Sequence, residues 1–234
     1  VLIRIRGIIG MKSGSVGTGC SLEVAETGRT SLSDKTGTFK AVSLDVRHGG
    51  HVRSAESVPG NGPHYVSTTA FEFKWILDTM QVFGGGQFHF YKSLLTVHNM
   101  FVHDGGRCFA DVSHETCADG IVNSLGQANT CGQYGASGGG HGGSGGHTNC
   151  AKNGLAFGHV YEPADAGCAG GSYSSYKGGR GGGVMKVVSG GSVQIDGELS
   201  ANGEQGAAYY AGGGSGGSLW LDVENIKGYG TIEA

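Results

Sequence analysis

Apolar and polar residues alternate along several short stretches of the chain, and glycines separate these stretches. The alternating apolar positions include Val42, Leu44 and Val46; Phe71, Phe73 and Trp75; Phe88 and Phe90; and Leu95 and Val97. A period of two, with β-branched and aromatic residues, predicts half-buried β-strands. No ten-residue stretch has a convincing helical period, so the pattern predicts an all-β protein.

The last third of the chain repeats a short unit. Three residues recur at a constant offset of 33, because Gly197, Leu199 and Ala201 match Gly230, Ile232 and Ala234. One unit has too few apolar residues to bury a face by itself, so copies are expected to stack. Parallel stacking of such units closes a coil. The repeat therefore predicts a parallel β-helix, a solenoid with glycine at its corners.

An antiparallel β-sandwich is the alternative fold. It favours Asn-Gly or Asp-Gly hairpins between equal strands, and Asn61-Gly62, Asp196-Gly197 and Asn202-Gly203 fit that pattern. For the β-helix, we expect residues 1–234 to form a single domain with a Cys- and Gly-rich irregular insertion at residues 107–177. Both ends read as strands in progress, so we expect a fragment of a longer repeat protein.

Glycine dominates the composition, with 49 of 234 residues against a usual share of about 7%. The chain has only three prolines, which excludes collagen. Its net charge of −3 offers no attraction for nucleic acid. No apolar run approaches the ~20 residues that a membrane-spanning helix needs. We therefore expect neither a nucleic-acid partner nor a membrane span.

The chain contains six cysteines, which are Cys20, Cys108, Cys117, Cys131, Cys150 and Cys168. No CxxC pair occurs, so a structural zinc cluster is disfavoured. An even number of cysteines predicts three disulfides and an oxidising, extracellular compartment. Sequence alone leaves about 15 connectivities open.

Residues that could carry chemistry are few. Acidic residues and histidines that a glycan-cleaving enzyme could use are Asp104, Asp111, Asp119, His103 and His114, but no paired Asp-Asp motif accompanies them. Gly140-His141-Gly142 matches the Gly-His-Gly element of polygalacturonases. His141 and His147 are candidate metal ligands, although histidines are more often solvated surface residues. We expect no catalytic residues and no cofactor.

Five aromatic residues are candidates for stacking on sugar rings. They are Tyr173, Tyr176, Tyr209, Tyr210 and Trp220. The alternative role is to cover glycine-rich backbone. A polysaccharide is therefore one candidate partner.

Two segments resemble glycine-rich repeats of large secreted or surface proteins: GGGVMKVVSGGSVQIDGELSANG and GGGSGGSLWLDVENIKGYGTIEA. Such repeats look like right-handed parallel β-helices of the pectin-lyase-like kind. The resemblance covers residues 178–234, is faint over 40–106 and is absent over 107–177. It implies a right-handed β-helix in an extracellular setting, and no activity, because that fold hosts many functions. A second resemblance, in composition alone, is to the glycine-rich ligand-binding domains of some receptor tyrosine kinases.

These observations favour a secreted or surface structural protein that forms part of a matrix, filament, adhesive or biomineral scaffold. Its expected partners are other copies or neighbouring repeats, with a polysaccharide or a mineral as further candidates. The alternative function is a carbohydrate-active or carbohydrate-binding β-helix protein. A third hypothesis is a receptor-type glycine-rich ligand-binding module.

Overall fold

The computed structural model describes residues 2–5, 8–11, 21–24, 29–32, 37–53, 73–91, 93–111, 136–147, 154–207 and 210–234. All regular elements of these residues are β-strands. Seven strands form sheet A: β1 (Leu2–Ile5), β3 (Ser21–Val24), β5 (Gly37–Val46), β7 (Phe73–Val82), β9 (Ser93–Val102), β11 (Val184–Ile195) and β13 (Ser218–Lys227). Seven form sheet B: β2 (Ile8–Met11), β4 (Arg29–Leu32), β6 (His51–Arg53), β8 (Gln87–Tyr91), β10 (Arg107–Asp111), β12 (Glu198–Ser200) and β14 (Thr231–Glu233).

The chain alternates between the two sheets, so each strand of sheet A is followed by a strand of sheet B. Neighbours within each sheet are parallel throughout the described strands. Parallel neighbours cannot be joined by a tight hairpin. The connection between two neighbours in one sheet runs through a strand of the other sheet.

Side chains in register form apolar ladders between the sheets. The Leu44 ladder in sheet A consists of Leu44, Met80, Met100, Val193 and Ile226. The Val52 ladder in sheet B consists of Val52, Phe88, Cys108, Leu199 and Ile232. The first four members of each ladder are 0% exposed. Each buried side chain of this size contributes about 1.5–3 kcal/mol.

Aromatic side chains connect the two sheets at the centre of the core. The Trp75 ring in β7 lies 5.2 Å from the Phe39 ring in β5 and 4.8 Å from the Phe88 ring in β8, centroid to centroid. The Phe88 ring is in turn 4.2 Å from the Phe90 ring. These tilted and edge-on arrangements are the favoured geometries for aromatic pairs.

Three similar turns lead from sheet A to sheet B. Gly50, Gly86 and Gly106 each donate a backbone N–H to the carbonyl three residues earlier, at 2.8 Å. The glycine before each of them has a positive φ of 72°, 77° and 71°, at Gly49, Gly85 and Gly105 respectively. A positive φ at the third position, with this hydrogen bond, is typical of a type II turn, which favours glycine there.

The all-β prediction is confirmed for the described residues. The antiparallel β-sandwich is wrong for these strands, because all their pairings are parallel. Within residues 107–177, residues 107–111 form β10, while residues 112–135 and 148–153 lie outside the described residues. The described remainder contains no named strand, only the isolated bridge between Tyr173 and Tyr176.

Replacing Gly105 tests the turn geometry. A Cβ at Gly105 would make only ordinary contact, with Gly84 Cα at 3.4 Å, so the cost of a side chain comes from the positive φ. We expect Gly105→Ala to lower the free energy of unfolding by about 1–2 kcal/mol. Gly105→Asn adds the same Cβ but tolerates this conformation better, so it should cost less. Denaturant titration of both variants checks this, and equal losses would contradict it.

Candidate functional site

Glycine-rich segments pack together beside the strands. The glycine bundle, as we call it, comprises residues 136–147, 167–183, 201–207 and 210–217. Backbone hydrogen bonds join its segments, for example from Gly139 N to Gly213 O (3.0 Å), from Gly171 N to Ser137 O (2.9 Å) and from Gly182 N to Ser215 O (2.8 Å). The backbone polar groups of these irregular segments are therefore paired with one another, as buried polar groups require.

Close approach of backbones explains most of the glycine in this bundle. A Cβ at Gly182 would overlap the carbonyl oxygen of Ala201, and one at Gly212 would overlap that of Ser137. Similar overlaps with backbone carbonyls would occur at Gly170, Gly178, Gly181, Gly214 and Gly217. These segments can pack at this spacing only because neither presents a side chain to the other.

Backbone hydrogen bonds join the bundle to the ends of several strands. Gly183 N donates to Ala110 O of β10 at 2.9 Å, and Ser218 N of β13 donates to Gly183 O at 2.8 Å. Gly217 N donates to Ala201 O, just after β12, at 2.8 Å. The apolar ladders and the glycine bundle therefore form one continuous structure.

His141 lies where three segments of this region meet. Its Nδ1 is 3.0 Å from Gly216 O, so Nδ1 carries the proton and donates it to that carbonyl. The backbone N of Phe157 donates to His141 O at 2.7 Å, and the two rings lie 5.0 Å apart. Burial lowers the pKa of His141 below its usual value of 6.5, although the Gly216 carbonyl and Asp165 act in the opposite direction. The neutral imidazole is therefore the form that the fold favours.

Ser218 and Asp165 lie beside this histidine but do not form a nucleophilic triad with it. Ser218 Oγ donates its proton to the backbone carbonyl of Asp165 at 2.6 Å and is 3.5 Å from His141 Nε2. Ser218 is 3% exposed. In a triad, the serine proton goes to the imidazole and a carboxylate receives the other ring N–H. Here a backbone carbonyl occupies each of those positions, so the arrangement is structural.

Ser215, the serine of the GGGSG segment, also has a structural role. Its Oγ accepts the Cys168 N–H at 2.8 Å and lies 3.1 Å from the carbonyl of Gly140, to which it donates. Ser215 therefore crosslinks segments of the glycine bundle.

An open groove of about 800 Å³ adjoins His141. One wall is the glycine segment that includes Gly142 and Gly143, and another is formed by residues 215–219 and 232–234. Phe157, Val160 and Pro163 add apolar surface. This volume lies within the range of pockets that enclose ligands. The His141 groove, named after this residue, is our candidate functional site.

The two candidate metal ligands lie in different settings. His141 is partly buried at the groove, whereas His147 is exposed at the end of the same segment. Among the described residues, no group of three His, Cys, Asp or Glu side chains is placed to hold a metal ion. In the part of the chain that the structure describes, His141 and His147 therefore belong to no group of three metal-ligating side chains.

Three of the five candidate sugar-stacking residues come together. The Tyr173 and Tyr210 rings lie 5.4 Å apart, and Tyr173 and Tyr176 exchange two backbone hydrogen bonds at 2.9 Å. Tyr210, at 64% exposed, and Tyr176, at 47%, present their rings to solvent. Trp220 lies in β13, where Lys186 Nζ sits 3.1 Å above its ring centroid and occupies one face. Tyr209 lies outside the described residues.

The cysteines differ from one another. Cys108 is a free, fully buried thiol in the Val52 ladder, so the expectation that all six cysteines pair is wrong for Cys108. Burial raises the pKa of this thiol well above its usual range, which suppresses its reactivity. Cys168 is buried and disulfide-bonded. The expected disulfide cysteines outside the described residues are Cys20, Cys117, Cys131 and Cys150.

Of the acidic residues and histidines considered for glycan cleavage, His103 and Asp104 have described side chains. Asp104 is exposed in the turn before Gly105, and His103 stacks on the Phe83 ring at 4.5 Å. Asp111 ends β10. His114 and Asp119 lie outside the described residues. The two described side chains do not provide a pair of carboxylates.

Comparisons with models of protein families, with curated proteins and with solved structures found no match for this chain. In the part of the chain that the structure describes, no helix is long and apolar enough to cross a membrane. Function is therefore argued from this chain's own geometry.

Sequence reasoning singled out His141 but missed its neighbours. The Gly140-His141-Gly142 pattern marked the histidine, whereas nothing local marked Phe157, Asp165 or Ser218. Those residues reach the groove from segments far apart in the chain. Pairing between glycine runs brings these residues together. Because this pairing uses backbone groups, no side-chain pattern in the sequence reveals it.

The lowered pKa of His141 predicts a pH dependence of stability. Above pH 7 the folded and unfolded chains are both neutral at this residue. As pH falls through 6.5, the unfolded chain takes up the proton first, so the free energy of unfolding falls until the folded state is protonated too. We expect His141→Asn, whose amide can still donate to Gly216 O, to lose less stability between pH 7.5 and 5 than the parent. Thermal melts across this range measure the difference, and parallel curves would contradict it.

Proposed function

We propose that this chain is an extracellular structural protein whose two sheets are the sides of a right-handed parallel β-helix. Each rung of the helix is one strand of sheet A and the following strand of sheet B, and chains assemble by stacking their end rungs. A right-handed coil is supported by the parallel pairing and the strict alternation between sheets. A strand–crossover–strand connection between parallel neighbours is right-handed in about 98% of cases. The six cysteines and the bonded Cys168 support an oxidising compartment.

The open end at β13 and β14 carries this proposal. Among the described strands, β13 pairs with β11 alone and β14 with β12 alone. Both edges lie at the same end, because the short segment 228–230 joins the two strands. Such an edge can pair with the strands of a neighbouring repeat or of another copy.

The apolar ladders continue onto this open end. Val193 is 0% exposed, whereas its partner Ile226 in β13 is 50% exposed. Leu199 is likewise 0% exposed, and its partner Ile232 in β14 is 46% exposed. The end rung thus presents the same inward positions as the interior rungs, without the cover that those receive. A further rung would bury both isoleucines, with about 25 cal/mol gained per Å² of apolar surface.

Contact between opposite ends leads to an open-ended assembly. The β13 and β14 edges are at one end of the strand order and the β1 and β2 edges are at the other. Head-to-tail contacts between unlike surfaces do not close unless the rotation brings them into a ring. A filament is therefore the form of assembly that these edges favour.

A charge at the open end tests this assembly. We expect Ile226→Lys to reduce association of the purified chain, because the new ammonium would have to be desolvated between rungs. Light scattering across a concentration series, together with electron microscopy under non-reducing conditions, measures the effect. In fibres of the parent we expect a repeat of about 4.8 Å along the axis.

The matched control for this test is Leu155→Lys. Leu155 is 50% exposed, as Ile226 is, but lies outside the strands. It should leave association unchanged. A parent that stays monomeric at high concentration, without fibres, would overturn the assembly proposal, as would equal effects of the two substitutions.

Carbohydrate binding is a second candidate function, and the exposed tyrosine cluster favours it. Tyr210 has a φ of 66°, which is strained for a bulky residue, and Ser174 has a φ of 54° in the adjacent turn. Strained backbone of this kind gathers at binding sites. Tyr173 and Tyr210 have adjacent rings, and Tyr176 adds an exposed ring, which suits the apolar faces and hydroxyls of a sugar.

Alanine substitution tests the tyrosine cluster. If it binds sugars, Tyr176→Ala should weaken retention on a polysaccharide found by glycan array by up to about tenfold, since one aromatic contact contributes about 0.5–1.5 kcal/mol. Tyr161→Ala is the control, because Tyr161 is 89% exposed and outside the cluster. An array without hits would remove this candidate function.

A further inference from the structure

Some glycines of the described chain are not explained by its own packing. At Gly142, Gly143, Gly146 and Gly190, an added Cβ would meet no atom within 4 Å. None of these four has a positive φ. Within the described residues, neither close approach nor backbone conformation therefore calls for glycine at these positions. Three of the four lie together in the segment 141–147.

Two of the four unexplained glycines line the groove. Gly142 and Gly143 are exposed and form one wall of the His141 groove. The same segment is occluded on its inner side, where a Cβ at Gly139 or Gly140 would overlap backbone carbonyls. The wall is thus the outer face of a glycine segment whose inner face already packs against other glycine segments. Its outer face has the same lack of side chains.

The opposite wall combines glycine backbone with a few side chains. It consists of residues 215–219, which follow the glycine run 212–214 and include Leu219, and of residues 232–234 at the end of β14, which include Ile232. Glu233 is the lining acid, and its carboxylate accepts a hydrogen bond from Asn202 Nδ2 at 2.5 Å. His141 is held in its neutral form by burial. Such a weakly charged groove suits a ligand recognised through its backbone.

We propose that the His141 groove binds an extended glycine-rich segment of another polypeptide chain. The glycine bundle offers a precedent for this binding, because its segments exchange backbone N–H···O hydrogen bonds at 2.7–3.0 Å across surfaces with few side chains. A glycine-rich segment can approach Gly142 and Gly143 equally closely, whereas a segment with side chains is held away. This site adjoins the open end and shares Ile232 with it, but Ile226 lies outside the groove, and the contacts proposed here are backbone hydrogen bonds to a glycine segment.

A peptide with the chain's own glycine run is the probe. Fluorescence anisotropy of labelled AGGGSGG, the sequence of residues 211–217, is followed as the full chain is added. We expect saturable binding. The same peptide with its glycines at alternate positions replaced by alanine should bind about tenfold more weakly or not at all, a difference of 1.4 kcal/mol or more.

Variants of the wall locate the binding site. Gly142→Val and Gly143→Val enter open space, so we expect their melting temperatures to stay near that of the parent and their peptide affinity to fall by about tenfold or more. Gly190→Val is the matched control, because it also enters open space but lies in β11 away from the groove. It should bind the peptide as the parent does.

The outcomes separate this proposal from assembly. Ile226→Lys should lose association while keeping peptide binding, because Ile226 does not line the groove. The proposal is overturned if the glycine peptide does not bind, if the alanine-substituted peptide binds equally well, or if Gly142→Val and Gly190→Val bind alike. A parent chain that binds the peptide but forms no filaments would leave the groove assigned and the assembly proposal refuted.

Discussion

The ladders of inward side chains keep the two parallel sheets in register, and the remaining structure depends on that register. Side chains alternate between faces, so a slip of one residue would turn a strand's apolar side chains outward. In both the Leu44 and the Val52 ladder, four successive members are 0% exposed. Trp75 packs on Phe39 within sheet A, and its contact with Phe88 connects sheet A to sheet B. Because each rung covers the next, the last rung at β13 and β14 keeps partly exposed isoleucines.

Glycine serves this protein in two physically different ways. At Gly49, Gly85 and Gly105 it supplies the positive φ of a turn between the sheets. In the glycine bundle it supplies the absence of a Cβ, so that backbones approach and pair directly. The bundle also brings together residues that lie far apart in the sequence. His141, Ser218 and Asp165 lie close together there because the glycine segments next to them in sequence pack against one another.

The His141 groove and the open rung are both places where a repeating pattern continues without a partner. At the rung, the pattern is an apolar ladder. At the groove, the pattern is a run of exposed glycines, and packing within the described chain does not explain why side chains are absent there. The two sites differ in chemistry, since burial of apolar area acts at one and backbone hydrogen bonding acts at the other.

Local pattern alone determined that this protein is all-β, that glycines mark its turns, and that Leu199 and Ile232 are equivalent, an offset that the pairing of β12 with β14 reproduces. These features depend on residues that are close in sequence, so the period of the apolar residues and the turn-forming glycines are enough to predict them. The tertiary structure decided that Cys108 is a core thiol, because pairing with Phe88 and Leu199 places it in a ladder. It also decided the surroundings of His141. Glycine segments pair through backbone groups common to all residues, so their partners leave no trace in the sequence.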